Sequence, residues 1–473
     1  MVFSSIIFLI YFFPLFLLSY FLTPVRFRNL VLLVFSLVFY AWGAPTFIFI
    51  LIASTTFTFY LVRHMHRADN ERLKKNLLLA ALLMNVLVLL YFKYANFFVD
   101  NLNQVLGAMG MKSLAWTAVA LPIGISFYTF QSLSYCVDVY RGVSPPLKRP
   151  EDFLLYIVMF PQLIAGPIVR FNTIAEQITS RTSGPDDRIL GFYRFVIGLS
   201  KKVLIANVMG KYADLYMAMD VSSLSSTEAW IGLLAYSFQI YFDFAGYSDM
   251  AIGIGRMIGF TFPENFNNPY VSRSITEFWR RWHMTLSSWM RDYLYIPLGG
   301  NRVDTKFRLF MNLWIVFLIS GLWHGASWNF VLWGAYHGLF LVLDRLFLKK
   351  ILEKSGALFS TLFTFLVAIL GWVVFRLEDF HHALAYYGRL FAFEFRSVDL
   401  GDSRDLVIIM VIAFFFSFIT LGKAGRKLEN KVFYDPYSIR RMWIMGVLVI
   451  ILFMLSAGSV AATGFNPFIY FRF

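Results

Sequence analysis

Residues 310–340 read FMNLWIVFLISGLWHGASWNFVLWGAYHGLF, a long apolar stretch in which one of two histidines, His324, stands between small residues and tryptophans. A membrane-spanning helix needs about 20 mainly apolar residues, so this stretch is long enough to begin and end a crossing. A titratable side chain at membrane depth is costly, and its presence there predicts a functional role. The alternative is a histidine that only forms a hydrogen bond between packed helices.

Apolar runs of this kind recur along the whole chain. Of its 473 residues, 59% are hydrophobic and 15% are charged, whereas about a quarter are charged in a soluble domain. We therefore predict an all-α polytopic membrane protein, a single domain over residues 1–473 with about 11–13 transmembrane helices. The candidate spans are 5–22, 29–42, 47–62, 77–93, 119–139, 190–209, 229–244, 309–323, 327–344, 357–376, 407–421 and 442–463. Residues 153–169 and 246–262 are interrupted by Pro and Gly, which favours re-entrant segments buried in protein.

The distribution of charge predicts the orientation in the membrane. Basic loops, such as residues 63–75 and 423–441, are expected inside, and the acidic loop 377–406 is expected outside. This arrangement puts both termini, including the tail 464–473, on the extracytoplasmic side of a bacterial inner membrane. The net charge of +14 is then explained by lysines and arginines that face anionic lipid, and no nucleic-acid partner is predicted.

The single cysteine, Cys136, excludes a disulfide within the chain and a cysteine-based zinc site. Its apolar surroundings predict a small buried packing residue. We predict no metal site.

Residues 264–302 combine five arginines with His283, Trp279, Trp282 and Trp289. Charge mixed with tryptophan and tyrosine is typical of a membrane interface, so one interpretation of the segment 264–308 is an amphipathic helix on the cytoplasmic leaflet. That interpretation explains the arginines but not His283, since histidine gains little at an interface that lysine would not.

Two other polar features lie in apolar surroundings. Asp243, Ser248 and Asp249, together with Tyr247, form a polar cluster, which we interpret as support for a functional site. His337 follows His324 by 13 positions, a rotation of about 220° on a continuous helix, so it would face away and is interpreted as structural.

Several long blocks of this sequence resemble the membrane-bound O-acyltransferase superfamily, in particular its bacterial branch for alginate and peptidoglycan O-acetylation. The similar blocks are YFKYANF (91–97), LPIGISFYTFQSLSYCVDVYRG (121–142), FPQLIAGPIVRF (160–171), YFDFAGYSDMAIGIG (241–255), NPYVSRSITEFWRRWHMTLSSWMRDYLYIPLGGNR (268–302) and GLWHGASWNFVLWGAYHG (321–338). The resemblance implies a helical bundle around a central tunnel, with re-entrant and interfacial helices.

The resemblance also implies residue roles. His324 corresponds to the family's catalytic histidine and His283 to a second polar position, and imidazole is the usual base near neutral pH. We predict that Trp323 supports the site, together with Asp243, Ser248 and Asp249. Acetyl-CoA is implied as the donor substrate, with no permanently bound cofactor, and a periplasmic SGNH-type esterase-like protein as the partner that completes transfer to a polysaccharide. Arg280, Arg281 and Arg291 are candidates to pair with the donor phosphates, or alternatively with lipid headgroups.

The C-terminal residues NPFIYFRF are similar to the terminal motif of the small partner protein in teichoic-acid D-alanylation. We therefore predict Tyr470 as an acyl relay, activated by His324, with an aromatic membrane anchor as the alternative. Six extended residues span about 20 Å, which exceeds half of the roughly 30 Å hydrocarbon core.

Two hypotheses from other classes remain at this stage. A transporter or lipid-linked flippase would use His324 and Asp243 as a proton relay, but the repeats and paired broken helices typical of transporters are not evident in the sequence. A structural scaffold in a polysaccharide synthesis complex is the other. Within the enzyme class, an alginate-like exopolysaccharide is the favoured acceptor and peptidoglycan the alternative.

Overall fold

The computed structural model describes residues 2–397 and 404–462. All regular secondary structure in these two ranges is helical, without a strand, which confirms the predicted all-α class. The helices group into two compact units. The first contains the described residues up to Arg188 together with Gly255–Phe262, and the second contains Ile189–Ile254 and the described residues from Pro263 onward.

The first unit packs its helices around an aromatic core. The α-helices are α1 (Phe13–Leu22), α2 (Arg28–Gly43), α3 (Ile48–Arg67), α4 (Glu71–Leu89), α5 (Ala95–Ala108), α6 (Ile125–Tyr140), α7 (Pro150–Val158), α8 (Phe160–Leu163) and α9 (Phe171–Thr179). Phe160 contacts the rings of Phe3, Phe12 and Phe16 with centroids 5.0–6.3 Å apart. The predicted re-entrant stretch 153–169 thus includes two short buried helices that meet at Met159. Cys136 is buried on α6, where we predicted a packing residue.

The remaining helices begin with α10. They are α10 (Pro185–Ser200), α11 (Asn207–Met217), α12 (Ser226–Met257), α13 (Ile275–Arg281), α14 (Met284–Met290), α15 (Lys306–His324), α16 (Trp328–Leu343), α17 (Lys349–Lys354), α18 (Ala357–Arg376), α19 (Phe380–Leu390), α20 (Arg404–Phe418), α21 (Lys423–Phe433) and α22 (Ile439–Ala462). A π-helical segment, Lys201–Ala206, joins α10 to α11. Such segments often mark functional sites.

Eight helices within the described residues are long and apolar enough to cross a membrane, so the chain is a multi-pass membrane protein. They are Val25–Gly43, Ile48–Arg67, Glu71–Ala108, Lys306–His324, Trp328–Lys354, Ala357–Arg376, Arg404–Leu421 and Ile439–Ala462. This number is lower than the predicted 11–13. The predicted spans 5–22 and 119–139 form shorter helices, and 190–209 and 229–244 carry polar residues such as Lys202 and Asp243.

The predicted interruption of 246–262 is wrong up to Met257, because α12 is continuous for 32 residues and ends there. The glycines that suggested a broken segment serve close packing instead. A Cβ atom at Gly246 would lie 2.6 Å from the carbonyl oxygen of Gly198 on α10. Glycine therefore lets the two helix backbones touch, and its low helix propensity is offset by that contact.

The interpretation of residues 264–302 as one amphipathic surface helix is also wrong. The segment forms two short helices, α13 and α14, separated by Trp282 and His283. Its tryptophans are almost entirely buried rather than spread over a membrane surface. His283 has a φ angle of +45°, a left-handed conformation that is uncommon for a non-glycine residue and needs support from its surroundings.

We expect Gly246→Leu to destabilise the protein by about 1–3 kcal/mol, because overpacking forces the α10 and α12 backbones apart. The measurement is the thermal unfolding midpoint in detergent, followed by size-exclusion chromatography. Gly388→Leu on α19 is the matched control, since position 388 is exposed and a Cβ there meets no atom within 4 Å. An equal midpoint for Gly246→Leu and the parent would contradict this account of the packing.

Candidate active site

The side chain of Asn265 holds the turn between α13 and α14. Its Oδ1 lies 3.0 Å from His283 Nδ1 and accepts hydrogen bonds from the Thr285 hydroxyl and backbone N–H, at 2.9 and 3.3 Å. Its Nδ2 donates to the Ser248 hydroxyl on α12 at 3.0 Å. The Met284 N–H also donates to the Asn265 carbonyl. These bonds stabilise the left-handed conformation of His283.

The same hydrogen bonds determine the tautomer of His283. The backbone N–H of Thr285 can only donate, so the atom that it contacts must be the amide oxygen of Asn265. An oxygen in that position accepts from His283, and the imidazole must therefore carry a proton on Nδ1. In the neutral ring the lone pair then lies on Nε2. Asn265 thus prepares His283 to accept a proton or a hydrogen bond through Nε2.

The imidazole of His283 is 1% exposed and packs edge-on against Phe244, with ring centroids 4.7 Å apart. His283 lies outside the candidate membrane spans. Burial, with a further contribution from nearby His324, lowers the pKa of His283 well below its usual range. The ring is therefore neutral at physiological pH, as a proton acceptor must be.

His324 is the last residue of α15 and is also buried. Three aromatic rings surround its imidazole, all in edge-to-face contact: Trp323 and Trp333 at 5.0 Å and Phe375 at 5.3 Å between centroids. Gly325 ends the helix in an extended conformation, and a Cβ atom there would collide with the Phe330 ring. The helix end therefore places His324 inside an aromatic enclosure.

Trp323 connects the two histidines. Its ring contacts the His283 imidazole with centroids 5.9 Å apart and the His324 imidazole at 5.0 Å. The structure thus brings together His283, His324, Trp323 and Ser248 from the predicted site residues, with Asn265 as an additional member. A pair of buried imidazoles in one enclosure is suited to accept and return a proton during group transfer.

His337 is not on a continuous helix with His324, because residues 325–327 separate α15 from α16. Both histidines contact Trp333, at 5.0 Å each. His337 is fully buried, and neither of its ring nitrogens has a hydrogen-bond partner among the described residues. It packs edge-on against Trp279 at 4.9 Å. The argument from a continuous helix therefore does not apply, and the structural role of His337 stays a prediction.

The two aspartates of α12 form ion pairs. Asp243 pairs with Lys202 at 2.8 Å, and both side chains are almost fully buried. Asp249 accepts from Arg194 Nε at 2.7 Å and from Lys201 at 2.6 Å. Both lysines belong to the π-helical segment. Arg194 also binds Glu264 at 2.6 Å, so this cluster flanks Ser248 and Asn265, the two residues behind His283.

The predicted donor arginines lie on or near the surface. Arg280 is exposed. Arg281 forms an ion pair with Glu277 at 2.9 Å, and Arg291 pairs with its neighbour Asp292 at 2.7 Å. Pairing with acids of their own segment weakens the argument that Arg281 and Arg291 bind phosphate.

Within 2–397 and 404–462, no group of three or more His, Cys, Asp or Glu residues is arranged to hold a metal ion. Tyr470 lies outside the described residues.

The sequence blocks that carry this site match a known family. The model of MBOAT, the membrane-bound O-acyltransferase family, matches residues 72–375, which include His283 and His324. The chain belongs to the membrane-bound O-acyltransferase family. It is accordingly an acyltransferase, and the transporter and scaffold hypotheses are set aside.

Curated relatives of this O-acyltransferase cover most or all of its length. It is 40% identical to the probable alginate O-acetylase AlgI of Azotobacter vinelandii, over 100% of both chains. It is 37% identical to a peptidoglycan O-acetyltransferase of Helicobacter pylori, over 81% of this chain and 78% of the relative. It is 28% identical to a teichoic acid D-alanyltransferase of Bacillus subtilis, over 55% of this chain and 70% of the relative.

Sequence reasoning missed three parts of this O-acyltransferase site. Asn265 was overlooked because an amide in a loop carries no periodic signal, although it stands in the polar run ENFNN between apolar segments. Lys202 and Arg194 were overlooked because their partners on α12 lie some 40 to 55 positions further along the chain. A signal for Lys202 did exist: a lysine inside a predicted span indicates a buried partner.

We expect Asn265→Asp in this O-acyltransferase to move the acidic limb of the activity–pH profile to higher pH. A carboxylate beside Nδ1 stabilises the imidazolium and raises the pKa of His283, so the ring is lost as a proton acceptor at a higher pH than in the parent. The measurement is acyl transfer in membranes across the acidic range. Asn267→Asp, two residues away on the surface, is the control. An unshifted profile would show that His283 does not take up a proton in the reaction.

Proposed function

We propose that this protein is the membrane subunit that moves acetyl groups from cytoplasmic acetyl-CoA across the bacterial inner membrane for O-acetylation of an extracytoplasmic polysaccharide. The observation that carries the proposal is the pair of buried imidazoles, His283 and His324, that share contact with Trp323. The names of the relatives support polysaccharide O-acetylation.

The proposed reaction uses His324 as the base. The acceptor hydroxyl loses its proton to His324 as its oxygen attacks the thioester carbonyl carbon, the carbon–sulfur bond breaks, and the proton passes to the leaving thiolate. The tightly packed rings around His324 exclude bulk water, which limits hydrolysis of the thioester. His283, with its lone pair on Nε2, acts as a second proton carrier or orients one of the substrates. The proposal also requires a tunnel open to both membrane faces, so that the donor and the acceptor can reach His324 from opposite sides.

The acceptor part of the proposal rests on the names of the relatives. An alginate-like exopolysaccharide is favoured because the relative from Azotobacter vinelandii matches over its full length. Peptidoglycan is the alternative, supported by the relative from Helicobacter pylori. In either case a periplasmic SGNH-type partner makes the final sugar ester, and both termini of this chain face the periplasm. Arg280 remains the candidate for the donor phosphates, because it is exposed and no ion pair involving it occurs among the described residues.

We expect His324→Gln to lower acetyl transfer by about 10²–10⁴-fold, the usual contribution of a general base. The measurement is transfer of radiolabelled acetyl from acetyl-CoA in membranes that contain equal amounts of folded protein. His381→Gln is the matched control, because His381 is exposed. Full activity of the His324 variant would overturn the proposed role of this residue.

We expect Tyr470→Phe to abolish delivery of acetyl groups to the polysaccharide in cells, because the tyrosine oxygen carries the acetyl ester between donor and partner in the proposed relay. Mass spectrometry of the C-terminal peptide should find an added acetyl group in the parent and none in the variant. Phe468→Leu is the control within the same tail. Undiminished polysaccharide acetylation with Tyr470→Phe would rule out the relay while leaving the role of His324 open to its own test.

A further inference from the structure

The two helices that flank α21 indicate where it lies relative to the membrane. It connects two candidate spans, Arg404–Leu421 and Ile439–Ala462, through short links at both ends. When both flanking helices cross the membrane, the 11 residues of α21 lie at a single membrane face. Its sequence, KAGRKLENKVF, is too polar to cross.

One face of α21 is a row of lysines. At about 100° per residue, Lys423, Lys427 and Lys431 fall within an arc of roughly 80°. All three are exposed. The helix has one acidic residue, Glu429, which lies outside this arc. We call Lys423, Lys427 and Lys431 the lysine face.

The opposite side of α21 contacts the body of the second unit. Glu429 accepts a hydrogen bond from Asn268 Nδ2 at 2.6 Å. The Phe433 ring lies under two cations, with the Arg194 guanidinium carbon 4.4 Å and Lys201 Nζ 5.3 Å from its centroid. Gly425 is buried against Ile419. The helix is therefore held against protein on one side, and the lysine face lies on its exposed side.

These contacts connect α21 to the residues that hold His283 in place. Arg194 binds Asp249 and Glu264, which are the chain neighbours of Ser248 and Asn265. Asn268 belongs to the same loop as Asn265, three residues further on. Phe433 and Glu429 thus contact both the ion cluster and the loop that position the imidazole.

We propose that the lysine face binds anionic lipid headgroups, and that this contact stabilises the loop carrying Asn265 and so the orientation of His283. The lipid surface is the occupant that charge and position favour: each lysine near an anionic leaflet contributes about 1 kcal/mol of attraction, and α21 lies where headgroups are. The coupling to activity rests on the proposed function, whereas the binding itself does not.

Binding is tested first, without any activity measurement. Lys423→Gln, Lys427→Gln and Lys431→Gln are combined, and retention of phosphatidylglycerol over phosphatidylcholine is measured by native mass spectrometry of protein from mixed micelles. Retention should fall at least about fivefold, the contribution of one lysine. The control is Lys349→Gln, Lys350→Gln and Lys354→Gln on α17, which removes the same charge from exposed positions. Equal retention in the parent and the α21 variant overturns the proposal.

Coupling is tested in nanodiscs of phosphatidylcholine with and without phosphatidylglycerol. Acetyl transfer by the parent and by the α17 variant should rise with the anionic lipid, and the α21 variant should lose this rise. Phe433→Leu should still retain phosphatidylglycerol but lose the activation, because the contact with Arg194 is weakened. Activation that survives in Phe433→Leu overturns the coupling. Loss of transfer activity in His324→Gln bears only on the proposed function, since lipid retention is read independently.

Discussion

The hydrogen bonds of Asn265 are the constraint on which the geometry of the site depends. They join α12, through Ser248, to the turn between α13 and α14, and they support the left-handed backbone of His283. A positive φ at a non-glycine residue costs of order 1–3 kcal/mol. The hydrogen bonds of Asn265 offset that cost, and they also hold the imidazole inward and fix its tautomer. A local hydrogen bond also spans the break, from the Ser287 hydroxyl on α14 to the Trp279 carbonyl on α13 at 2.9 Å.

The chemistry of the site follows from burial and from aromatic packing rather than from charge. The His283 imidazole packs against Phe244, and the His324 imidazole is enclosed by Trp323 and Phe375. Charged groups are kept one layer away, where Arg194 and Lys201 are paired with acids. This separation lets an imidazole accept a proton without competition from a nearby carboxylate. The charged cluster can therefore stabilise the site from outside the aromatic enclosure.

The sequence predicted the helical class, the multi-pass membrane character and the family, because long apolar runs and long motif blocks are local signals. His324 was identified as unusual from its apolar surroundings alone, and its role followed from the family resemblance. The break at His283 was not predictable, since it depends on hydrogen bonds to Asn265, a residue 18 positions earlier. The continuity of α12 was missed because glycine suggests a break in a sequence, whereas at Gly246 it allows two backbones to touch. The ion pair of Arg281 with Glu277 could have been predicted from their spacing of four residues on a helix. Arg281 was instead predicted to bind the donor phosphates.

The buried pair of Lys202 and Asp243 limits how this part of the protein can change over evolutionary time. Removing one member of a buried ion pair costs about 3–5 kcal/mol, since it leaves a lone charge in the interior, whereas replacing both with apolar residues is often neutral. A path through single substitutions must therefore pass through a poorly folded intermediate. Any lineage that exchanged the pair for hydrophobic residues would have needed both changes nearly at once, so the two positions are expected to vary together or not at all.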